Sequence, residues 1–390
     1  MLDELLPYYE NELTYLRRLS KEFAAKYPKI ASRLQMDGEV CEDPHVERMI
    51  ESFAFLTSRI HKKLDDEFPQ ITEAMLSVLY PHFLRPVPSM SIAQLELAPG
   101  AEITTAQELP RHSMLLTRPV HGLPVRYRTG YPVEVWPIRI ADARLEAAER
   151  SAFAVTQDDT VATVRLRIEA TGQLPLSKLP IRRLRLYLDG ESPLVHALHE
   201  LLLNAATGIT LRAPDDLPQV PPVRLPAHAL KPVGFEDEDA LLDYDPRSFL
   251  GYRLLQEYFV LPEKFLFVDI EGLDTSRFER GMEIAIELGS VGRPERLQRL
   301  EQAVSADSFR LFCTPIVNLF KQQGEPIRVS QERHEYQVVP DVRRPLGLEV
   351  YSVDWVRKSS RGPAGSEVVE FHPAYSVRHG LHDDGGGHYW

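Results

Sequence analysis

The side chains most able to do chemistry include a histidine pair in the segment HALHE. His196 and His199 lie three residues apart and are followed by Glu200. A zinc-protease helix places its two histidines four residues apart, with the glutamate next to the first. The spacing therefore does not fit, and we interpret these residues as ordinary histidines of a half-exposed helix.

Two further segments could hold a metal but lack the rest of a site. His45 and Glu47 have the His-x-Glu form of zinc deaminases, but Cys41 and Cys313 are the only cysteines, so the Cys-x-x-Cys that completes such a site is missing. The segment HDDGGGH, residues 382–388, is glycine-rich and would not preorganise its ligands. Phosphate-binding loops and the nucleophile elbow are also missing from the sequence. We expect no catalytic residue, no cofactor and no metal.

Composition excludes several partner classes. The 390 residues carry a formal net charge of -12, which disfavours nucleic acid and anionic lipid. The amino terminus carries Asp3 and Glu4 where a signal peptide has basic residues, and no apolar run is long enough to span a membrane. Two cysteines build no disulfide framework. The sequence predicts a cytoplasmic, soluble protein without direct membrane insertion.

The first 90 residues show helical periodicity. Two series of positions seven residues apart are apolar except for one serine, which is typical of a coiled coil or helix bundle. Pro28 predicts an interruption of this helix. Asp43 and Pro44 predict the start of a second helix, and an apolar repeat predicts a third over residues 71–79. The two series are Leu2, Tyr9, Leu16, Phe23 and Ile30, and Leu6, Leu13, Ser20, Tyr27 and Leu34.

One side of the first helix is predicted to contact another chain. Apolar residues that share a helix face must be buried somewhere, either within the chain or against a partner. We expect that partner contacts are made by Tyr9, Leu13, Leu16, Phe23 and Ile30.

The segment LYPHFLRPVPSM, residues 79–90, stops the helical region. Three of its residues precede prolines and are biased toward extended backbone, so it is predicted to be a rigid exit into the β-rich region. Phe83 and Arg85 lie within it. Either they contact a partner directly or the segment is a plain linker, and the sequence leaves both open.

The periodicity changes to two after about residue 91, which predicts antiparallel strands with a few helices between them. The fold class is therefore α+β, with a helical assembly region over 1–90 followed by β-rich domains over 91–235 and 236–390. A proline-rich stretch within residues 211–239 is the best linker candidate. The last predicted strands are EYQVVPD and LEVYSVDWV.

The segment GYRLLQEYFVLPEKF combines aromatic residues with charges. We interpret it as a scaffold that joins a helix to a sheet, with Arg253, Glu257 and Lys264 closing ion pairs around the helix. If Tyr258 and Phe259 are buried, replacing either by alanine should cost about 3–5 kcal/mol. Glu257→Gln should be milder.

Several long segments resemble the TssF (VasA, ImpG) family of type VI secretion baseplate subunits. They occur in the family's order along most of the chain. They are YYENELTYLRRLSKEFAAKYPKIASRL, DPHVERMIESFAFLTSRIHKKLDDEFPQITEAMLSVLYPHFLRPVPSM, GYRLLQEYFVLPEKFLFVDI, FRLFCTPIVNLF and EYQVVPDVRRPLGLEVYSVDWV. Family members generally extend beyond this length, so we expect a carboxy-terminal region to be missing.

The resemblance implies a structural role without catalysis. A TssF-like chain would form a wedge with a TssG-like subunit and a second copy of itself. TssK would attach the wedge to a membrane complex at the inner face of the inner membrane, TssE would link it to the contractile sheath, and the VgrG hub would lie at the centre. Two alternatives remain open at this point: a wedge protein of another contractile particle, such as a phage tail, and a metal-dependent hydrolase.

Overall fold

The computed structural model describes most of the chain. The residues it describes form an α+β fold in which helices come first and several sheets follow, as the sequence predicts. The chain divides into two compact units, Met1–Arg85 with Asp354–Trp390, and Pro86–Val353. The described residues are 2–34, 43–98, 103, 105–120, 122–148, 160–245, 248–290, 294–330, 332, 335–344, 347–362, 365–373 and 388–390.

Three helices open the first unit: α1 (Leu2–Lys26), α2 (Pro28–Arg33) and α3 (Pro44–Leu79). Pro28 separates α1 from α2, as predicted, because proline suits the first position of a helix and cannot continue the previous one. The Asp43 carboxylate accepts a hydrogen bond from the His45 backbone N–H at 2.8 Å. It therefore caps α3 at the predicted start.

Helices α1 and α3 pack against each other in opposite directions. Arg17, near the end of α1, pairs with Glu47 near the start of α3 at 2.6 Å. Glu4, near the start of α1, lies 3.8 Å from Lys62. Ala54 of α3 is fully buried, and a side chain this small lets a neighbouring helix approach closely.

The third helix predicted over 71–79 is the end of α3 and not a separate element. Helix α3 runs through Pro69, where one backbone hydrogen bond is lost but the helical turns on both sides remain. It ends where the Tyr80 N–H donates to the Leu76 carbonyl at 2.7 Å. A short 3-10 turn, Pro81–Phe83, follows.

A two-stranded antiparallel hairpin also belongs to the first unit. Its strands are Val356–Gly362 and Gly365–Phe371. Arg357 and Glu370 form an ion pair across it at 3.2 Å.

The second unit contains three larger antiparallel sheets and one strand pair. The sheet orders are β1-β15-β4-β3, β10-β9-β13-β7-β6 and β11-β12-β8-β14, and β2 pairs with β5. The strands are β1 (Met90–Gln94), β2 (Gln107–Leu109), β3 (Met114–Leu116), β4 (Arg126–Thr129), β5 (Val133–Val135), β6 (Ile138–Ala147), β7 (Ala162–Ala170), β8 (Arg183–Leu188), β9 (Ala206–Arg212), β10 (Val223–Pro226), β11 (Leu230–Val233), β12 (Phe267–Glu271), β13 (Gly281–Leu288), β14 (Phe309–Leu311) and β15 (Cys313–Val317).

The described residues of this unit form three α-helices, two of which lie at the segments HALHE and GYRLLQEYFVLPEKF, where the sequence predicts helices. The three helices are α4 (Ser192–Asn204), α5 (Leu250–Val260) and α6 (Pro294–Ala303). Helix α4 buries Leu198 and Leu202 completely in the main hydrophobic core, together with residues of the sheets.

The predicted boundary at residue 235 does not separate two domains. Each larger sheet joins strands from both sides of it, since β4 pairs with β15, β9 with β13, and β8 with β12. Residues 354–390, predicted as part of the last domain, belong to the first unit. Pairing between distant strands leaves no local mark in the sequence, because each strand shows only its own alternation.

Two local predictions also need correction. The predicted linker within 211–239 contains β10 and β11, which pair with β9 and β12. Conversely, residues 335–341 and 348–355 contain no strand. An alternating segment becomes a strand only where a neighbouring strand accepts its backbone hydrogen bonds.

The five-stranded sheet has one apolar face and one charged face. Strand β13 places alternate side chains on the two faces. On the charged face, Glu283 accepts hydrogen bonds from Arg165 at 2.9 Å and Arg212 at 3.1 Å. Glu287 pairs with Arg224 at 3.1 Å. Both glutamates are buried by these partners, so the charged face is internally paired.

Candidate partner-binding surfaces

Helix α3 carries a long exposed apolar surface, which we name the α3 face. Its members are spaced by three, four or seven residues, so they lie on one side of the helix. Every member is more than half exposed. The α3 face consists of Met49, Phe53, Leu56, Ile60, Leu64, Ile71, Met75 and Leu79.

This exposure makes the α3 face a candidate binding surface. Scattered apolar side chains on a surface need no explanation, but a continuous apolar stripe along one helix marks an interaction site. Phe53 is 62% exposed and Ile60 is 59% exposed, whereas Ala54, between them in sequence, is fully buried. The helix thus packs on one side and leaves its bulkier apolar side uncovered among the described residues.

The α1 residues predicted to contact a partner fall into two groups. Tyr9, Leu13 and Leu16 are half-buried. They share a side of α1 with Arg17, which forms an ion pair with Glu47 of α3. Glu12 lies on the same side, and its carboxylate is 2.8 Å from Nδ1 of His61 in α3. That part of the predicted seam is therefore covered, at least in part, by the chain's own α3.

The remaining members of the seam are more accessible. Phe23 is 37% exposed and Ile30 is 51% exposed. The Phe23 ring lies 5.3 Å from the ring of Tyr27, so the two form a small aromatic patch at the end of α1. Their role in binding a partner stays a prediction.

The exit turn places Phe83 outward and Arg85 partly inward. Phe83 is 61% exposed, and its ring packs edge-on against Tyr80 at 5.8 Å and lies 4.6 Å from the buried His82 ring. Arg85 is half-buried and is the last residue of the first segment of its unit. Phe83 is thus held in place by aromatic neighbours while its outer side stays accessible.

The sequence analysis did not predict that the α3 face is exposed. The residues after Asp43 were predicted only to form a helix, and the apolar positions of a helix ordinarily form a core. The available signal was length, because the apolar series of α3 is longer than the α1 surface that could cover it.

Helix α5 exposes a second set of large apolar side chains, in the second unit. Phe259 is 80% exposed and Tyr258 is 47% exposed, so neither meets the condition of burial on which the expected cost of the alanine substitutions depends. Phe249, Tyr252 and Leu255 are also exposed. The helix turns its aromatic residues outward because its inner side is occupied by charged residues.

Two of those charged residues form a fully buried ion pair. Glu257 of α5 and Lys264 of the following 3-10 turn are in direct contact, and both side chains are completely buried. Glu257 also accepts hydrogen bonds from the backbone N–H groups of Leu241 at 2.8 Å and Leu242 at 3.1 Å. Burial lowers the pKa of Lys264, and the Glu257 carboxylate opposes this decrease.

The same helix fastens the acidic loop that precedes it. Arg253 is 3% exposed and donates to the Asp237 carboxylate at 3.0 Å. Within the loop, Asp239 accepts from the Gly234 backbone N–H at 2.8 Å, and Gly234 has a φ of +107°, which favours glycine. Loop 234–242 is therefore held by charged groups, as the predicted ion pairs around α5 suggested.

A pocket of about 340 Å³ opens beside this loop, and we name it the α5 pocket. Helix α4, the loop, α5 and the 3-10 turn each contribute to its wall. It is lined by His196, His199, Phe235, Leu254, Leu255, Tyr258, Pro262, Phe265 and Leu266.

The candidate metal ligands do not converge in the described part of the chain. Glu200 pairs with Arg296 at 2.5 Å and not with the histidines of α4. Residues 382–384 lie outside the described residues. Among those described, no group of three or more His, Cys, Asp or Glu side chains is placed to hold a metal ion.

Cys313 is also a poor candidate for chemistry. It lies in the hydrophobic core, and burial raises the pKa of its thiol to about 12. A thiol with so high a pKa forms little thiolate at neutral pH and is a weak nucleophile.

Within the described ranges, no helix combines the length and the apolar character that crossing a bilayer requires.

Comparison with known proteins identifies the family of this chain. The family described as "Type VI secretion system, TssF" matches residues 1–390. The chain is 39% identical over 385 residues to type VI secretion system component TssF1 of Pseudomonas aeruginosa PAO1, covering 97% of this chain and 61% of that protein. It thus spans less than two thirds of that relative's length.

A solved structure has a similar fold. A chain of the type VI secretion TssK-TssF-TssG baseplate subcomplex, determined by cryo-electron microscopy, superimposes with a TM-score of 0.63 and 28% identity. The match covers 84% of this chain and 59% of that one. Because the family match extends over the whole sequence and the fold agrees, the chain belongs to the TssF family of type VI secretion systems.

Proposed function

We propose that this chain is a structural component of a type VI secretion baseplate and that it works by binding other proteins. The observation that carries the proposal is the match of the whole chain to the TssF family. The α3 face supports it, because a subunit built for permanent partners exposes apolar surface when alone.

The partners follow from the matched assembly. The structural relative lies in a subcomplex with TssK and TssG, so we propose a TssG-like subunit and a TssK-like subunit as direct neighbours. A second copy of this chain, TssE, the VgrG hub and the sheath are further proposed members of the assembly. The complex would lie in the cytoplasm, docked at the inner face of the inner membrane.

The α3 face is the proposed binding site for the TssG-like subunit. Its members follow heptad-like spacing along a 36-residue helix, so a partner helix could pack along it with knobs-into-holes contacts. Phe23, Ile30 and Phe83 are proposed to extend this contact, because each is exposed in the same unit.

Sheath assembly in cells tests the role. In a strain that lacks its own TssF gene, the full-length gene containing this sequence should restore fluorescent sheath assembly and secretion. The same gene with Phe53→Asp and Ile60→Asp should accumulate normally and restore neither. Restoration of sheath assembly by that variant would contradict the proposal.

A further inference from the structure

The α5 pocket has the features of a docking site for one side chain of another protein. Its walls are mostly apolar, and Phe235, Tyr258 and Phe265 form an aromatic cluster with ring centroids 5.0 Å and 6.0 Å apart. Its volume of about 340 Å³ suits a single large aromatic residue. Aromatic residues in such pockets often dominate the energy of an interface.

The histidine in the wall provides one polar contact. Burial lowers the pKa of His199, the nearby His196 lowers it further, and a hydrogen bond to the Phe265 backbone opposes the decrease. Among the described residues, none forms a hydrogen bond with His199 Nε2. The ring therefore donates to the Phe265 carbonyl through Nδ1, which leaves Nε2 of the neutral ring as an acceptor. This nitrogen is buried in the unliganded chain, so a ligand's N–H or O–H group reaches it only when the side chains that cover it shift. A ligand that supplies such a donor would satisfy it.

Charge around the pocket selects a basic ligand. Glu236 and Glu238 follow Phe235 in the acidic loop, Glu263 follows Pro262, and all three are exposed. The nearby cations Arg253 and Lys264 are buried in ion pairs with Asp237 and Glu257. The accessible charge beside the pocket is therefore negative, and a basic segment would complement it.

The pocket is also preformed. Glu257 and Arg253 fix loop 234–242, which carries Phe235, so the wall does not have to be ordered when a ligand binds. The apolar surface continues beyond the pocket through Tyr252 and Phe259, both exposed on α5. This continuity favours a protein segment over a small molecule, because a small molecule would leave the rest of the surface uncovered.

We infer that the α5 pocket binds a tryptophan or tyrosine side chain of a partner protein, presented on a segment with lysine or arginine on either side. The indole N–H or the phenol O–H would donate to His199 Nε2. The flanking cations would lie near Glu236, Glu238 and Glu263. The inference does not rest on the proposed baseplate role, since binding can be measured on the purified chain.

A random-peptide library displayed on phage, selected against the immobilised full chain at low density, tests this. Peptides that bind the wild-type chain but not the Leu255→Glu variant are taken to bind in the pocket. We expect those peptides to share a tryptophan or tyrosine flanked by basic residues. Leu116→Glu is the matched control, because it makes the same change at an exposed leucine of β3 that does not line the pocket. It should retain the same peptides.

The polar contact has its own test. His199→Phe keeps a planar ring but removes the acceptor, so it should weaken selected peptides by about tenfold. Circular dichroism and thermal melting should show that every variant is folded. The inference is overturned if no selected peptide is sensitive to Leu255→Glu, if the sensitive peptides lack an aromatic donor or are acidic, or if a small molecule is found in the pocket by native mass spectrometry.

Discussion

The charged face of the five-stranded sheet is covered by side chains of its own chain, whereas the α3 face is left exposed. On the sheet, buried carboxylates such as Glu283 are neutralised by arginines of neighbouring strands, so the surface is complete within the chain. On α3, residues such as Phe53 and Ile60 have no comparable cover within the described residues. The difference indicates where substitutions should act: on stability in the sheet unit, and on assembly along α3.

The largest effect is expected at the buried ion pair. Glu257→Gln leaves the Lys264 ammonium buried beside an uncharged amide, which should lower the free energy of unfolding by about 3–5 kcal/mol. Urea denaturation of the purified protein measures this. Adding Lys264→Met should recover much of the loss, since it removes the unpaired charge. Glu263→Gln, at an exposed neighbouring position, is the control and should change little.

This prediction reverses the expectation from sequence alone. Glu257→Gln was expected to be the milder change, and the alanine substitutions at Tyr258 and Phe259 were expected to be severe if those side chains were buried. With Phe259 80% exposed, Phe259→Ala should change the free energy of unfolding by no more than about 0.5 kcal/mol. A large loss for Phe259→Ala together with a small one for Glu257→Gln would contradict the described packing of α5.

A smaller loss of stability is expected on the charged sheet face. Glu283→Gln keeps the shape of the side chain but weakens the hydrogen bonds from Arg165 and Arg212, which should cost about 1.5–3 kcal/mol. Chemical denaturation compares it with Asp216→Asn, whose ion pair with Arg167 is exposed. That control should show no measurable change. Equal losses in the free energy of unfolding would mean that the buried ion pairs of the sheet face stabilise the fold no more than an exposed ion pair does.

Substitution of the α3 face should change association more than stability. Phe53→Ser with Ile60→Ser should change the free energy of unfolding by less than about 1 kcal/mol, because both side chains are already exposed. The purified chain alone should self-associate in analytical ultracentrifugation, and the double variant should do so less. A monodisperse wild-type monomer at high concentration would contradict the proposed role of this face.

The smallest expected effect is a change in how the stability of the fold depends on pH. The folded-state pKa of His199 is lowered below its ordinary value of 6.5, so the unfolded chain takes up this proton first as pH falls. The residue therefore destabilises the fold increasingly as pH drops below 6.5. Between about pH 7 and about pH 5, His199→Phe should lose less stability than wild type. Denaturation midpoints across this range measure it, and parallel curves would show that His199 does not titrate as described.

The sequence predicted local features better than distant contacts. The cap at Asp43 and the break at Pro28 each depend on a few neighbouring residues, and both were predicted correctly. The pairing of β8 with β12 joins Phe267 to Tyr187 and Glu271 to Arg183, which are far apart in the sequence, and no local pattern reports it. The predicted boundary at residue 235 failed for that reason.

Burial on α5 was harder to predict for a physical reason. Its sequence contains both aromatic and charged residues on a short helix, and the usual rule buries the aromatic ones. Here Glu257 pairs with Lys264 and also accepts hydrogen bonds from two backbone N–H groups. Because these charges are paired, they can occupy the inner side of the helix. The residues that remain, including Phe259, face outward and form a candidate binding surface.

Copurification with the TssG-like subunit tests the central claim, that the α3 face binds a partner. The two proteins would be coexpressed and captured through a tag on the TssG-like subunit. Phe53→Asp with Ile60→Asp is compared with Ser52→Asp with Arg59→Asp, which places the same number of aspartates at exposed polar positions of the same helix. With folding verified by circular dichroism, the account predicts that the first variant is lost from the complex and the second is retained. Retention of the first variant at the wild-type level would contradict it.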